Sequence, residues 1–149
     1  MLSRKTKYGL KALLALAQKQ GRGPVRVSDL ASRDAIPKKF LEAILLELKR
    51  HGVVHSKKGK GGGYFLGRTS ADITFGEVIR VLDGPLAPVP CVSETAYMKC
   101  TDCVDEATCG VRVAMKAVRD ATARILDRTT LADVNRQVMR KRRKPSRSS

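Results

Sequence analysis

The chain lacks several features on which many proteins depend. It contains no tryptophan and only 4% aromatic residues, so its core has to be built mainly from Leu, Val, Ile and Ala, a composition that suits helices. No apolar run approaches the roughly 20 residues of a membrane-spanning helix. The first residues also lack the apolar segment of a signal peptide, so we expect a cytoplasmic protein with no membrane partner.

Acidic residues are scarce at both ends of the chain. Residues 1–70 hold 16 Lys/Arg against 4 Asp/Glu, residues 71–139 hold 8 against 10, and residues 140–149 hold 6 against none. A net charge of +16 distributed in this way favours a polyanionic partner, because Lys and Arg that neutralise phosphates supply most of the non-specific affinity for DNA. The basic segment 139–149 is predicted to be a disordered tail.

Two helical patterns separated by a short break lie in the basic half. Ser28 is a good N-cap for the first, and Pro37 suits the first position of the second, whose apolar face includes Phe40. Helix, turn, helix is the plan in which the second helix enters the major groove of DNA by its N-terminal residues. In this chain those residues are Lys38, Lys39 and Glu42.

A loop rich in glycine and lysine follows, between two predicted strands at 53–56 and 64–66. Glycine lets the backbone turn through positive φ and approach a phosphate closely, and the lysines add positive charge. A basic hairpin directly after a helix-turn-helix is typical of the wing of a winged helix. The positions that we expect to bind DNA are Ser28, Lys38, Lys39, Glu42, Lys57, Lys58, Lys60, Gly61, Gly62 and Tyr64.

The chain therefore divides into four predicted segments. Residues 1–84 form a winged helix-turn-helix domain, whose last helix opens with the capping-box pattern of Thr74 and Glu77. Residues 85–110 form a proline-rich linker and a cysteine loop, and residues 111–138 a long helix and a short C-terminal helix, before the tail at 139–149. The predicted fold class is mainly α (α+β).

The long helix carries a seam of apolar residues at alternating spacings of three and four, as in a heptad repeat. A seam on one long helix of a small protein usually packs against a partner helix, so we expect a homodimer that binds double-stranded DNA at a pseudo-palindromic operator. The seam residues are Val111, Ala114, Val118, Ala121 and Ile125.

All four cysteines fall within residues 91–109, at Cys91, Cys100, Cys103 and Cys109. Thiolates are soft ligands that hold iron–sulfur clusters and zinc, and the same groups can form a redox pair. There is one C-x2-C pair, whereas two pairs are the stronger signature of zinc. The pattern leaves open a cluster, a zinc site and a thiol–disulfide switch, the last being favoured if the neighbouring cations Lys99 and Arg112 lower a thiol pKa.

An enzyme is the functional class that the pattern argues against. A dithiol oxidoreductase normally places its cysteine pair at the start of a helix in a strand–helix fold, and no such fold is predicted around Cys100 and Cys103. We therefore expect neither catalysis nor a small-molecule substrate.

Segments in both halves resemble a bacterial family of winged-helix iron–sulfur transcriptional regulators that includes IscR, NsrR and RirA. The segments that carry the resemblance are 6–13, 59–66, 73–79 and 131–134, together with the cysteine loop. The resemblance reaches about residue 135 and excludes the basic tail. It implies a homodimeric regulator, often a repressor, with an iron–sulfur cluster beside its dimerisation helix.

The resemblance also implies which residues hold the cluster. Family members use three cysteines, the last two separated by five residues. The cysteines that fit are Cys91, Cys103 and Cys109. This chain has Arg112 where some members supply a histidine and Lys7 where others supply an acidic residue, so Cys100 is predicted to be the fourth ligand.

The predicted function is that of a DNA-binding regulator whose operator affinity is controlled by a [2Fe–2S] or [4Fe–4S] cluster that senses iron, nitric oxide or redox state. The alternative is a winged-helix regulator without a cluster, which binds zinc or senses redox state through a disulfide.

Overall fold

A computed structural model describes residues 2–144 of the chain. In this part of the chain, six α-helices and one antiparallel pair of strands form the mainly α-helical fold with a two-stranded wing that the sequence predicts. None of these helices combines the length and the apolar composition that crossing a bilayer requires. The elements are α1 (Arg4–Gln18), α2 (Val27–Asp34), α3 (Lys38–Arg50), β1 (Val54–Lys57), β2 (Gly63–Leu66), α4 (Phe75–Asp83), α5 (Gly110–Leu126) and α6 (Leu131–Arg143).

The core is aliphatic, as the scarcity of aromatic residues predicts. It forms where α1, α3 and α4 meet, and α1 approaches α4 so closely that a Cβ on Gly9 would lie 2.5 Å from Leu82 Cδ1. A larger residue at this position would force the buried Leu82 side chain or the helix that carries it to shift. The fully buried side chains include Leu13, Leu41, Ile44, Leu45, Leu48, Val53, Ile73, Val78 and Leu131.

The turn between α2 and α3 depends on one residue with positive φ. Ala35 has φ 52° and ends α2, and the next residue, Ile36, is buried and donates its backbone N–H to Ala31 O at 2.9 Å. Pro37 then lies at the N-cap of α3 with ψ 124°, and not at the first helical position that we expected. A proline in this extended conformation still begins the helix, because its missing N–H is not needed there.

The N-cap assignment of Ser28 is wrong. Helix α2 begins at Val27 with Arg26 at its N-cap, so Ser28 lies in the first turn. The reason is that Val25 pairs with Tyr64 in an extended conformation, which sets where the helix can start. The capping box predicted for α4 is half correct. Thr74 accepts from the backbone N–H of Glu77 at 3.1 Å, whereas the Glu77 carboxylate accepts a hydrogen bond from Arg68.

Helix α6 returns to the winged domain and packs against α1. Leu131 is fully buried in the main core, and its backbone N–H donates to Ile73 O at 3.0 Å. Asn135 donates to the carbonyl of Leu14 at 3.1 Å. The expectation that the tail is disordered from Met139 is wrong for its first residues, since α6 continues to its end at residue 143. Residues 145–149 lie outside the described residues.

Candidate nucleic-acid interface and cysteine site

The first turn of α3 presents the side chains that were expected to read DNA. Lys38, Lys39 and Glu42 are all exposed, and the helix is anchored beneath them by the fully buried Leu41 and Leu45. A lysine can bind guanine or phosphate, and a glutamate can accept from the amino group of cytosine. A rigid helix that projects these three groups has the chemistry of a recognition helix.

Phe40 does not belong to the buried face of α3, contrary to the prediction. Its side chain is 37% exposed, and its ring meets Tyr8 edge to face with the centroids 5.7 Å apart. The buried face of α3 is centred on Leu41, Ile44 and Leu48, so Phe40 lies at the edge of this stripe.

The wing is an antiparallel hairpin, as predicted, and its register places Val54 opposite Leu66 and Lys57 opposite Gly63. Its tip needs glycine for two physical reasons. Gly61 has a φ of 75°, and a Cβ on Gly62 would lie 2.2 Å from Lys57 O. The chain can therefore turn back here only without side chains. The expected lysines of the wing, Lys57, Lys58 and Lys60, are all exposed.

Tyr64 supports the wing through its backbone. Its N–H and carbonyl exchange hydrogen bonds with Val25, each 2.8 Å long, and its half-buried ring packs against the core. This bridge joins the base of the wing to the segment before α2, close to the exposed Ser28. The wing also follows directly from α3, because Val53 N–H donates to Leu48 O at 3.0 Å. Helix α2, helix α3 and the wing are thus parts of one hydrogen-bonded unit.

The cations of this surface keep their charge available for a partner. Among residues 2–144, the ion pairs with both partners in the winged domain join Lys5 to Glu47 at 2.6 Å and Arg68 to Glu77. The lysines of the recognition helix and of the wing take part in no ion pair with described residues. A phosphate would therefore not have to displace an existing carboxylate.

The four cysteines line one pocket of about 480 Å³ at the N-terminal end of α5. Cys91 is buried in a short 3-10 turn, Pro90–Val92, and Cys109 is the N-cap residue of α5. Cys100 and Cys103 lie in the loop between them, joined by a backbone hydrogen bond of 3.2 Å. All four are free thiols. The structure therefore brings the four predicted ligand residues to one place.

Charged groups surround this pocket. The pKa of the Cys100 thiol is raised, mainly by desolvation and next by the nearby Cys91. The condition that favours a reactive thiolate, a lowered pKa, is therefore not met at Cys100. Arg112 lines the same pocket, and its Nε atom is buried without a hydrogen-bond partner in the described residues. An unpaired guanidinium N–H beside thiols is suited to an anionic group in the pocket.

The four thiols lie near one another but do not surround one common metal position. Within residues 2–144, no three His, Cys, Asp or Glu side chains converge closely enough to hold one metal ion. An iron–sulfur cluster distributes its irons over several positions, so its thiolate ligands need not meet at one atom. The pocket is therefore compatible in donor chemistry and placement with a cluster.

The predicted seam of α5 lies on the surface of the single chain. Helix α5 has no fully buried residue. The side chains of Val111, Val118 and Ile125 are 66%, 46% and 62% exposed, Ala114 is exposed, and Ala121 is partly buried. An apolar stripe with this exposure lacks an intramolecular partner among the described residues.

One contact of the cysteine loop is not visible in the sequence pattern. Arg119 of α5 donates a hydrogen bond to the backbone carbonyl of Val92, directly after Cys91, although the two residues are 27 positions apart. The heptad pattern identifies Arg119 only as a polar position beside the seam. The sequence contains one signal for this contact. Arg119 lies next to Asp120, and an arginine has more hydrogen-bond donors than one carboxylate can satisfy.

Comparison with known proteins assigns the chain to a family. A sequence model of the Rrf2 family, described as an iron-dependent transcriptional regulator, matches residues 2–137. An rrf2-like HTH-type transcriptional regulator of Rhodobacter capsulatus is 42% identical over 137 residues, which cover 90% of this chain and 91% of that protein. The HTH-type transcriptional regulator CymR of Bacillus subtilis is 35% identical over 133 residues, which cover 89% of this chain and 88% of that protein.

Solved structures agree with these sequence relationships. The structure of CymR, the global cysteine regulator of B. subtilis, has a TM-score of 0.77 at 34% identity and covers 92% of this chain and 97% of that chain. T. potens IscR has a TM-score of 0.77 at 27% identity, with 98% and 93% covered. The relatives are regulators and not enzymes. The winged fold, the basic recognition surface and these matches together show that the chain belongs to the Rrf2 family of DNA-binding transcriptional regulators.

Proposed function

We propose that the chain is a homodimeric repressor whose operator affinity is set by an iron–sulfur cluster. The ligands are Cys91, Cys100, Cys103 and Cys109. The observation that carries this proposal is that all four thiols line one pocket at the start of the helix with the exposed seam. The family description as an iron-dependent regulator supports iron as the metal.

The spread of the four thiols favours a cluster over a single zinc ion. Zinc needs four ligand atoms at about 2.0–2.3 Å from one centre. The described thiols do not converge in this way, whereas the thiolate ligands of a cluster are shared among more than one iron and need not meet at one point. Cys109 stands at the positive end of the α5 dipole, and the unpaired Nε of Arg112 lies in the same pocket. Both groups stabilise negative charge. A bound cluster would supply a centre that responds to oxidants and nitric oxide.

The seam of α5 supports the homodimer. Burying the exposed side chains Val118 and Ile125 against a partner helix removes apolar surface from water, which favours association. Two winged domains held by paired α5 helices present two recognition helices, and this arrangement fits an operator with two related half-sites. The separation of the half-sites then depends on how the two helices pack.

The regulatory step follows from the position of the cysteines. Cys91 lies in the turn before the loop and Cys109 caps α5, so a cluster that binds both fixes this turn to the start of the helix. When the cluster is lost, the turn and the helix are free to separate. We propose that this change alters the packing of the two α5 helices and therefore the affinity for the operator.

The test is an anaerobic purification followed by operator titrations. We expect visible absorbance, with iron and sulfide in the protein and little zinc. Holo, apo and Cys103→Ala protein should differ in operator affinity by about 5–150-fold, the usual range of allosteric coupling. Thr101→Ala, a change at an exposed position in the same loop, serves as the control and should behave as the wild type. Equal affinities of the three forms would contradict cluster control.

The same experiment tests the alternative, a regulator without a cluster. A colourless protein with one zinc per chain would indicate the zinc form. Cys91 and Cys100 line the same pocket, and Cys91 lies near enough to add, after desolvation, to the raised pKa of the Cys100 thiol; this proximity is the observation that favours a disulfide switch. In that reaction an oxidant would accept two electrons and two protons from the two thiols as the S–S bond forms. A colourless, metal-free protein whose mass falls by about 2 Da for each disulfide formed on oxidation would support the disulfide switch.

A further inference from the structure

Arg119 fastens the turn that carries Cys91 to the middle of α5. Its side chain is only 14% exposed. The guanidinium donates to the carbonyl of Val92, Nε donates to Asp120 Oδ1 at 2.9 Å, and Nη2 lies 3.5 Å from Glu94 Oε1. The side chain therefore bridges the helix surface and the backbone directly after a predicted cluster ligand.

The turn at the other end of this bridge is a compact unit. Cys91 and Val92 are buried, the N–H of Ser93 donates to Pro90 O at 3.1 Å, and Ser93 Oγ accepts from the N–H of Ala96 at 2.9 Å. These hydrogen bonds favour movement of the turn as one body. Such a movement would carry the Val92 carbonyl away from the guanidinium, whose donors are fixed in a plane.

The helix end of the bridge lies beside the predicted seam of α5. Arg119 directly follows the seam residue Val118 and precedes Ala121 by two positions. Further along α5, Asp127 accepts two hydrogen bonds from Arg80 of α4, at 2.5 and 3.0 Å. Helix α5 is thus attached to the turn of Cys91 by Arg119 and to the winged domain by the pair of Arg80 and Asp127. A change at Arg119 can reach both the seam and the winged domain through one rigid helix.

We infer that Arg119 is a positioning residue that transmits the state of the Cys91 thiol to the seam of α5. This inference rests on the proposed function, because it explains how a cofactor on the cysteines alters DNA binding. With the cysteines occupied, the turn stays against α5 and the guanidinium keeps its bond to Val92. With the cysteines vacant, the turn shifts, the bond is lost and the seam repacks. Removing the guanidinium uncouples the two ends.

The first test compares operator affinity in the holo and apo forms. Arg119→Gln is paired with Arg124→Gln, which removes the same charge from an exposed position of the same helix. We expect Arg119→Gln to retain the cluster absorbance and the dimer, while its ratio of holo to apo affinity falls to within about twofold of 1. Arg124→Gln should keep the wild-type ratio. A purely structural role would lower both affinities together and leave the ratio unchanged.

A second variant keeps the inference testable if Arg119→Gln loses the cluster or does not fold. Asp120→Asn keeps the arginine but removes the carboxylate that orients it, and we expect an intermediate ratio. Wild-type ratios in both variants would overturn the inference. If the wild type itself shows no difference between holo and apo protein, the proposed function fails. If the wild type shows the difference and both variants retain it, only the role of Arg119 fails.

Amide hydrogen exchange of the holo and apo proteins tests the contact between Arg119 and Val92 without DNA. The N–H groups of Ser93 and Ala96 are hydrogen-bonded within the turn, so their exchange reports how firmly the turn is held. In the holo protein, Arg119→Gln should accelerate their exchange towards the rate of the wild-type apo protein, and Arg124→Gln should not. Equal rates in the holo forms of wild type and Arg119→Gln would show that the arginine does not restrain the turn, and would overturn the inference.

Discussion

At the scale of single residues, Gly63 decides whether the wing can rest on the segment before α2. A Cβ at this position would lie 2.3 Å from the carbonyl oxygen of Val25, and φ is 152°. The obstacle is backbone, which cannot rotate away as a flexible side chain can. The two hydrogen bonds between Val25 and Tyr64 would then have to lengthen. The wing therefore depends on an absent side chain as much as on its lysines.

We predict that Gly63→Ala destabilises the protein by about 1–3 kcal/mol and weakens operator binding, because the base of the wing separates from Val25. Urea unfolding and a DNA titration on the same sample measure the two effects. Gly110→Ala is the control, since nothing lies within 4 Å of the added Cβ and the residue is helical. It should be neutral or stabilising by up to about 1 kcal/mol. Equal stability of the two variants would refute the steric argument.

The sequence predicts residues well where local chemistry is sufficient. The lysines and glycines of the wing and the exposed first turn of α3 follow from composition and order alone. Ser28 was misplaced as a cap because the start of α2 depends on the pairing of Val25 with Tyr64. Arg119 was missed because its partner, Val92, is distant in sequence. Roles that depend on remote neighbours are not encoded in local patterns.

At the scale of elements, α5 is the helix whose apolar side chains remain exposed in the single chain. Its seam was predicted from spacing, and the structure leaves that seam exposed. We predict that Ile125→Asp weakens the dimer by about 2 kcal/mol or more, roughly thirtyfold in its dissociation constant, because a carboxylate would replace an apolar contact. Sedimentation analysis over a range of protein concentrations measures this change.

The control for the seam is Arg124→Asp, which places the same carboxylate at the neighbouring exposed position outside the heptad pattern. It should leave the dissociation constant of the dimer within about threefold of wild type. If both variants dissociate equally, the general charge of α5 and not its apolar seam would govern association. If neither does, the dimer uses another surface.

The boundaries of elements were less predictable than their existence. The sequence indicated that α6 would be short and followed by a disordered tail, whereas the helix extends to residue 143. Two local effects stabilise the helix, and the second of them acts at its C-terminal end. Thr130 and Asp133 form a full capping box at the start, and four basic residues in the last turn interact favourably with the negative end of the helix dipole. A basic run is thus compatible with a helix when it occupies the C-terminal turn.

At the scale of the whole molecule, the chain after α5 packs back onto the winged domain, which the sequence pattern did not predict. Leu131 follows the exposed α5 yet is fully buried in the core of the winged domain, and Thr130 pairs with Thr74 through the backbone. Helix α5 is therefore attached to the winged domain at its C-terminal end through α6. This closure depends on contacts between residues far apart in sequence, which periodicity cannot reveal.

Charge is the property of the whole molecule that the sequence describes most directly. The chain carries +16, and the lysines of the recognition helix and wing are free of ion pairs with described residues. We predict that the logarithm of operator affinity falls linearly with the logarithm of salt concentration, with a slope of about −0.9 for each phosphate neutralised. Fluorescence anisotropy at several salt concentrations measures the slope.

Single substitutions separate the wing from the net charge. Lys58→Gln and Lys116→Gln each remove one positive charge, the first from the wing and the second from an exposed position of α5. Lys58→Gln should reduce the magnitude of the slope by about 0.9 per bound subunit, because a phosphate contact is lost. Lys116→Gln should leave the slope unchanged. If Glu42 reads base edges and not phosphates, as we propose, Glu42→Gln should alter base preference without changing the slope. Equal slopes for the two lysine variants would mean that total charge, and not the wing, controls the salt dependence of DNA binding.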